Sequence, residues 1–164
     1  DPRRFGSFTW TNDNPYEHKL LKSLGIEPLD KKFDGPYLFE KTKNKRGSIK
    51  NLIMNAKVVV GVGNIYANEA LFGAGIHPLR KASRISLKRY STLAQKIKDV
   101  LSESILSGGT TLRDFYDKDG NPGYFKNKLK VYGKEGLPCG ICSQPIKRTI
   151  IGQRATYYCS SCKK

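Results

Sequence analysis

A chain of 164 residues that sets 30 lysines and arginines against 14 acidic residues carries a formal net charge of +16. Its length suits one modest domain plus a small metal-stapled one, and its charge repels itself unless a polyanion neutralises it, which makes nucleic acid the leading partner over a merely soluble basic protein. No stretch stays apolar for long enough to span a bilayer, and no basic helix with a strong apolar face stands out, so a membrane is set aside as partner.

In chain order, Asp1-Pro2-Arg3-Arg4-Phe5-Gly6-Ser7-Phe8-Thr9-Trp10 alternates weakly with no partner strand in view. It reads as the tail of a sheet whose remainder is absent, with Thr11-Asn12-Asp13 as a hinge. An opening on Asp rather than Met agrees with a fragment. Asn14-Pro15 offers a helix N-cap and a pre-set first residue, so a helix is expected through Leu20, Leu21 and Leu24 to a stop at Gly25. A short helix is expected from Pro36 to Lys43, overlapping the basic run Lys41-Thr42-Lys43-Asn44-Lys45-Arg46. Gly47-Ser48 then caps another, with Ile49, Leu52 and Ile53 on one face.

Val58-Val59-Val60 is too short to build a sheet alone and is expected to pack in a helical core. Gly61-Val62-Gly63-Asn64 opens a helical pattern from Ile65 to Phe72. Such a loop lets backbone approach a ligand closely, and the free N–H groups of the helix behind it favour an anion. It lacks the third glycine and acidic residue of a dinucleotide site and the Gly-Lys-Ser/Thr ending of a P-loop. A nucleic-acid phosphate suits it better than a nucleotide; the alternative is an ordinary tight turn. Ser86 is expected to cap the longest helix, whose core stripe is Leu87, Tyr90, Ala94, Ile97, Leu101 and Ile105, ended by Gly108-Gly109. Residues 110–128 are polar and turn-rich, and a loop of that length in a compact domain is usually functional or disordered. Asp114, Asp117 and Asp119 hint at a calcium loop, but the closing Glu and the glycine position do not fit.

The last third holds all four cysteines as C-x2-C-x16-C-x2-C: Cys139, Cys142, Cys159 and Cys162. Two such knuckles supply four soft ligands for one tetrahedral zinc ion. The alternatives are two disulfides or a redox C-x-x-C; both pairs have zinc spacing and no cysteine is left over, which favours zinc. Between the knuckles, Lys147-Arg148-Thr149-Ile150-Ile151 and Ala155-Thr156-Tyr157-Tyr158 flank Gly152-Gln153-Arg154, a β-hairpin pattern whose tip presents Arg154. Thiols kept as ligands, with no signal-peptide pattern, point to a reducing cytoplasm. His18 and His77 have no nucleophile beside them in sequence and read as structural or surface residues.

Gly61-Val62-Gly63-Asn64-Ile65-Tyr66-Ala67-Asn68-Glu69-Ala70-Leu71-Phe72, together with Gln153-Arg154-Ala155-Thr156-Tyr157-Tyr158-Cys159, closely resembles bacterial formamidopyrimidine-DNA glycosylase. The resemblance runs from Asp1-Pro2-Arg3-Arg4-Phe5-Gly6 to Cys162. It implies a mainly α fold with a small β part: a helix-two-turn-helix domain over 14–109 after the tail of a β-sandwich domain and hinge over 1–13, a lesion-capping loop over 110–130 and a four-cysteine zinc finger over 131–164. It implies one zinc ion per chain and, as partner, duplex DNA with oxidised bases or abasic sites, met by a monomer at the bacterial nucleoid.

Residue roles follow from the same resemblance. Asn64, with Gly63 before it, resembles the turn that grips phosphate beside the damaged nucleotide. Arg154 resembles the finger arginine that clamps a backbone phosphate, for which its planar fork is suited. Tyr132 and Lys50 fall where the family places further contacts near the lesion. Arg3 and Phe5 resemble the residues that fill the hole left in the duplex. Thr110, Thr111, Leu112, Arg113, Asp114, Phe115 and Tyr124 fall in the loop that closes over a flipped oxidised purine. The plain alternatives are a core Phe5, a solvated Arg154 and a Tyr132 that only packs.

The family's chemistry implies an amino-terminal proline nucleophile, assisted by a glutamate and a sandwich-domain lysine. Here Asp1 comes first and the Pro2 nitrogen is tied into a peptide bond. The implied protein is a glycosylase and apurinic/apyrimidinic lyase for 8-oxoguanine and formamidopyrimidines, while this chain alone is expected to bind DNA without cutting it, with no catalytic residue of its own. A stand-alone zinc-dependent DNA-binding module and the sister glycosylase for oxidised pyrimidines are the competing readings.

Overall fold

Capping side chains decide where the helices begin. The computed structural model describes residues 6, 8–110 and 124–162. Asp34 accepts from the Tyr37 N–H at 2.8 Å and opens α1 (Gly35–Thr42), with Pro36 in the first turn, where a missing N–H does no harm. Ser48 accepts from the Asn51 N–H at 3.4 Å and opens α2 (Ile49–Ile53). The third helix, α3 (Asn64–Gly73), has Gly63 at its N-cap and no capping side chain, so its first N–H groups stay available. Helix α4 (Leu87–Leu106) is the longest, and Ser86 occupies its N-cap position without the expected side-chain bond.

Helix α4 is the spine, packing against both α1 and α3. Its core face is Tyr90, Leu93, Ala94, Ile97, Leu101 and the small polar Ser104. The two ends of the predicted stripe depart from expectation: Leu87 and Ile105 are exposed, because the helix outruns the elements stacked on it. The core closes around Phe33, Leu38, Ile49, Ile53, Leu71 and Ile76, all essentially without exposed surface. Thr42 donates to the Tyr90 hydroxyl at 2.7 Å and Tyr90 donates to the Ala82 carbonyl at 3.1 Å, so the buried hydroxyls are partnered. Val58 and Val59 are buried as expected, and Val59 also forms a parallel bridge to Ile26.

The helix expected from Asn14 to Leu24 is not formed. Asn14 does cap, accepting from the Tyr16 N–H at 3.1 Å, but only a 3₁₀ turn over Pro15–Glu17 follows. Leu20, Leu21 and Leu24 are exposed, and a helix this short gains too little without a buried face.

After the helices, β1 (Lys147–Ile151) pairs antiparallel with β2 (Arg154–Tyr158), in register from Lys147↔Tyr158 to Ile151↔Arg154. Gly152 and Gln153 both have positive φ, 57° and 59°, the two-residue turn whose twist matches a hairpin. A second small core holds Phe72, Val131, Cys139, Ile146 and Cys159. Helix α3 serves both cores, giving Ala67, Ala70 and Leu71 to the first and Phe72 to the second. Among the described residues no helix is long and apolar enough to cross a membrane.

Candidate nucleic-acid interface and metal centre

Two tight turns aim the cysteines inward. In the first, Ser143 N–H donates to the Cys139 carbonyl at 2.8 Å, the Cys139 N–H donates to Gln144 O at 2.8 Å, and Ser143 takes a positive φ of 59°. The Ile141 N–H reaches back to Cys139 Sγ at 3.5 Å. All four cysteines are free thiols, and their sulfurs lie within 4.8 Å of one another. The short separations run between knuckles, Cys142 to Cys159 at 3.4 Å and Cys139 to Cys162 at 3.8 Å. Zn–S bonds of ~2.3 Å in a tetrahedron put sulfurs ~3.8 Å apart, so the cluster fits one such cation. Burial opposes ionisation of Cys159, but N–H groups of Cys162 and Ser161 and the Cys142 thiol hold its pKa down at about 7. Cys162 is pushed up to about 12, first by its contact with Cys142 and then by burial. Four thiolates packed this closely would repel one another, a repulsion that a cation held among them would offset.

Beside the finger, polar groups of α2, α3 and β2 converge on one strand. Lys50 of α2 has no exposed surface, and its Nζ donates to Thr156 Oγ1 at 2.6 Å and Ala155 O at 3.3 Å. Burial, and then the Arg154 charge, lower its pKa from 10.5 to about 8. Asn64, first residue of α3, donates from Nδ2 to the same Ala155 carbonyl at 3.1 Å and lies 3.5 Å from the Tyr132 hydroxyl. Tyr132 meets Tyr157 edge to face with centroids 5.0 Å apart. Arg154, exposed at the start of β2, makes no side-chain hydrogen bond or ion pair among the described residues. The structure thus brings Gly63, Asn64, Lys50, Tyr132 and Arg154 into one neighbourhood.

Three contributors were not legible as functional. Asn68 Oδ1 accepts from the Tyr157 N–H at 2.7 Å while its Nδ2 donates to Asn64 O at 2.6 Å. Glu69, buried, accepts from the N–H groups of Lys130, Val131 and Tyr132 at 2.8, 3.0 and 2.8 Å. Tyr66 shares hydrogen bonds with Ser104 at 2.9 Å and Thr110 at 3.2 Å. The available signal was polarity at helical spacing: Asn64 and Asn68 are i and i+4, in a helix otherwise given to burial.

Of the expected loop, Thr110 and Tyr124 pair as an antiparallel bridge and mark its base. Thr111, Leu112, Arg113, Asp114 and Phe115 lie outside the described residues, as do Arg3 and Phe5 and the aspartates weighed for calcium. His77 packs edge-on against Tyr158 with centroids 4.6 Å apart, and His18 accepts from the Leu20 N–H at 3.3 Å.

Residues 24–116 match the family model described as the formamidopyrimidine-DNA glycosylase H2TH domain. The chain belongs to the formamidopyrimidine-DNA glycosylase family. It is similar to the formamidopyrimidine-DNA glycosylases of Nitrosococcus oceani, 58% identical over 99% of this chain, and Methylococcus capsulatus, 55% identical over all of it. In each case it spans 60% of the relative's length. The crystal structure of the MutM (Fpg) protein from Thermus thermophilus superposes with a TM-score of 0.91 at 38% identity, covering 99% of this chain and 62% of that one. The Lactococcus lactis Fpg, solved in complex with abasic-site DNA, superposes with a TM-score of 0.81 at 32% identity, over 88% of this chain and 53% of that one.

Proposed function

We propose that this chain is the DNA-gripping part of a base-excision-repair glycosylase and lyase acting on oxidised purines, 8-oxoguanine and formamidopyrimidines among them, in duplex DNA of the bacterial cytoplasm. The observation that carries this reading is the convergence of Lys50, Asn64 and Tyr132 beside the exposed Arg154. An α3 N-terminus without a side-chain cap offers N–H groups to a phosphate, and the Arg154 fork offers a second grip. Cations and N–H donors so grouped position a sugar-phosphate backbone rather than read a base. That the Lactococcus lactis relative was solved with abasic-site DNA supports the same partner.

Cys139, Cys142, Cys159 and Cys162 would hold one zinc ion in this reading, which pins the base of the hairpin and so sets Arg154 against α3. Residues 110–130 would close over the flipped base, Arg3 and Phe5 would fill the gap it leaves, and 14–109 and 131–164 would form one wall of the cleft. Flipping a base costs a few kcal/mol, which those insertions and the phosphate contacts must offset. In this reading the chain acts as a monomer and supplies the grip on the duplex. Fluorescence anisotropy with abasic and undamaged duplexes tests this. Tighter binding to the abasic duplex is expected; indifference to DNA would sink the assignment.

A further inference from the structure

We propose that residues 79–84 form a second phosphate site, which takes a backbone phosphate of the same duplex away from the one gripped at Asn64 and Arg154. The inference rests on the reading of the chain as a duplex binder. Leu79, Arg80, Lys81 and Arg84 line a cavity of about 320 Å³. Arg80 is half-buried, and its Nε is covered without a hydrogen-bond partner, the one such side-chain atom among the described residues. A covered donor on a cationic group beside an open cavity favours an anion as the cavity's occupant.

The surrounding charge points the same way. Ion pairs among the described residues join Lys43 to Glu40, Lys96 to Asp99, Lys128 to Glu103 and Arg148 to Glu135, and none reaches Arg80, Lys81 or Arg84. Arg89 next door donates to Gly75 O at 2.7 Å and is held below its ordinary pKa by burial and by the Arg80 charge. The Arg80 and Arg84 guanidinium groups, with no ion pair among the described residues, suit phosphate oxygens, which accept forked hydrogen bonds.

The location favours polynucleotide over a free anion. The Ile49 N–H donates to Arg80 O at 2.9 Å, the Lys50 N–H to Pro78 O at 3.4 Å and the Ala82 N–H to Gly47 O at 3.3 Å, and Ser48 bridges to Lys81. The segment is therefore laced to the start of α2, the helix that carries Lys50. On the same helix the Asn51 side-chain amide packs against Gly152 at the hairpin turn. The cavity and the hairpin tip flank one short helix. Lys45 and Arg46, both exposed, lead into Gly47 beside the cavity. A small anion would satisfy Arg80 and leave this row of cations unmatched, whereas a strand that adds a phosphate every ~3.4 Å of rise meets it repeatedly.

The test is the doubly substituted chain Lys81→Ala/Arg84→Ala, two exposed side chains outside every described hydrogen bond and ion pair. Affinity for a long abasic duplex, and for duplexes trimmed from either end, is measured across a salt series. Each lost phosphate contact lowers the log–log salt slope by ~0.9, so a fall of about one to two is expected on the long duplex, vanishing when one end is trimmed. Wild-type binding with an unchanged slope and affinity in the variant overturns the second site while leaving the grip at Asn64 intact. A wild-type chain indifferent to every duplex removes the DNA reading itself, and this site with it. The Arg80 Nε–H signal, assigned with Arg80→Lys, is expected to shift on adding duplex. Saturation by inorganic phosphate, with no further change on adding duplex, means a small-anion site and overturns the proposal.

Discussion

Lys50 is a charged side chain with no exposed surface, and its pKa of about 8 puts two of its effects in opposition. The unfolded chain, with the ordinary value of 10.5, holds more protons than the folded one between those limits. The residue's contribution to stability therefore rises as pH climbs from about 8 towards 10.5. In the proposed duplex binding its contribution would fall over the same climb, because the charge is being lost. Affinity for abasic duplex is expected to weaken between pH ~7 and ~9, around the lysine's lowered pKa, while denaturant stability from this source increases; Lys50→Met should flatten both curves. Arg154 invites a simpler experiment. Losing one charge-assisted hydrogen bond costs ~1.5–3 kcal/mol, so Arg154→Ala should weaken abasic-duplex binding roughly tenfold or more, and titration by anisotropy checks it. At this scale Asn64, Lys50 and Arg154 were legible through motif resemblance and net charge. Asn68 and Glu69 stood in the same motif, yet nothing local said their partners were backbone N–H groups 89 and 61 to 63 residues away.

The hairpin and α3 behave as one device. Glu69 satisfies three backbone N–H groups of the segment that carries Tyr132. Glu69→Ala orphans all three and should cost about 3 kcal/mol, whereas Glu69→Gln keeps one carbonyl oxygen and should cost less; urea melts compare them. Structural zinc contributes an apparent ~10–16 kcal/mol in isolated fingers. Chelation should accordingly melt the segment beyond Tyr132 and leave the helical core folded, as amide exchange would record. Both knuckles and the hairpin were legible because their spacing and alternation are local. The false helix after Asn14 had a good cap and plausible leucines; what it lacked was a surface to bury them, and a cap cannot reveal that.

Over the whole molecule, α4 sets the tolerance of the core. Gly35 lies so close to the backbone of Ser91 on α4 that an added Cβ has no room. Gly35→Ala should destabilise by ~1–3 kcal/mol through overpacking, seen as a lower melting temperature with the metal centre retained. The stripe from Tyr90 to Leu101 foretold this packing, whereas the exposed Leu87 and Ile105 show that periodicity marks a face without saying how far its neighbours extend.

The contacts that assemble the polar neighbourhood span the chain: Asn64 to Ala155 across 91 residues and Lys50 to Thr156 across 106. During synthesis the helical core can collapse well before the final strand emerges. A nascent protein is thus able to be stably folded while Lys50 and Asn64 still wait for the strand that gathers them, and a product cut short before β2 would persist in the cell as a well-formed chain with that cluster unassembled.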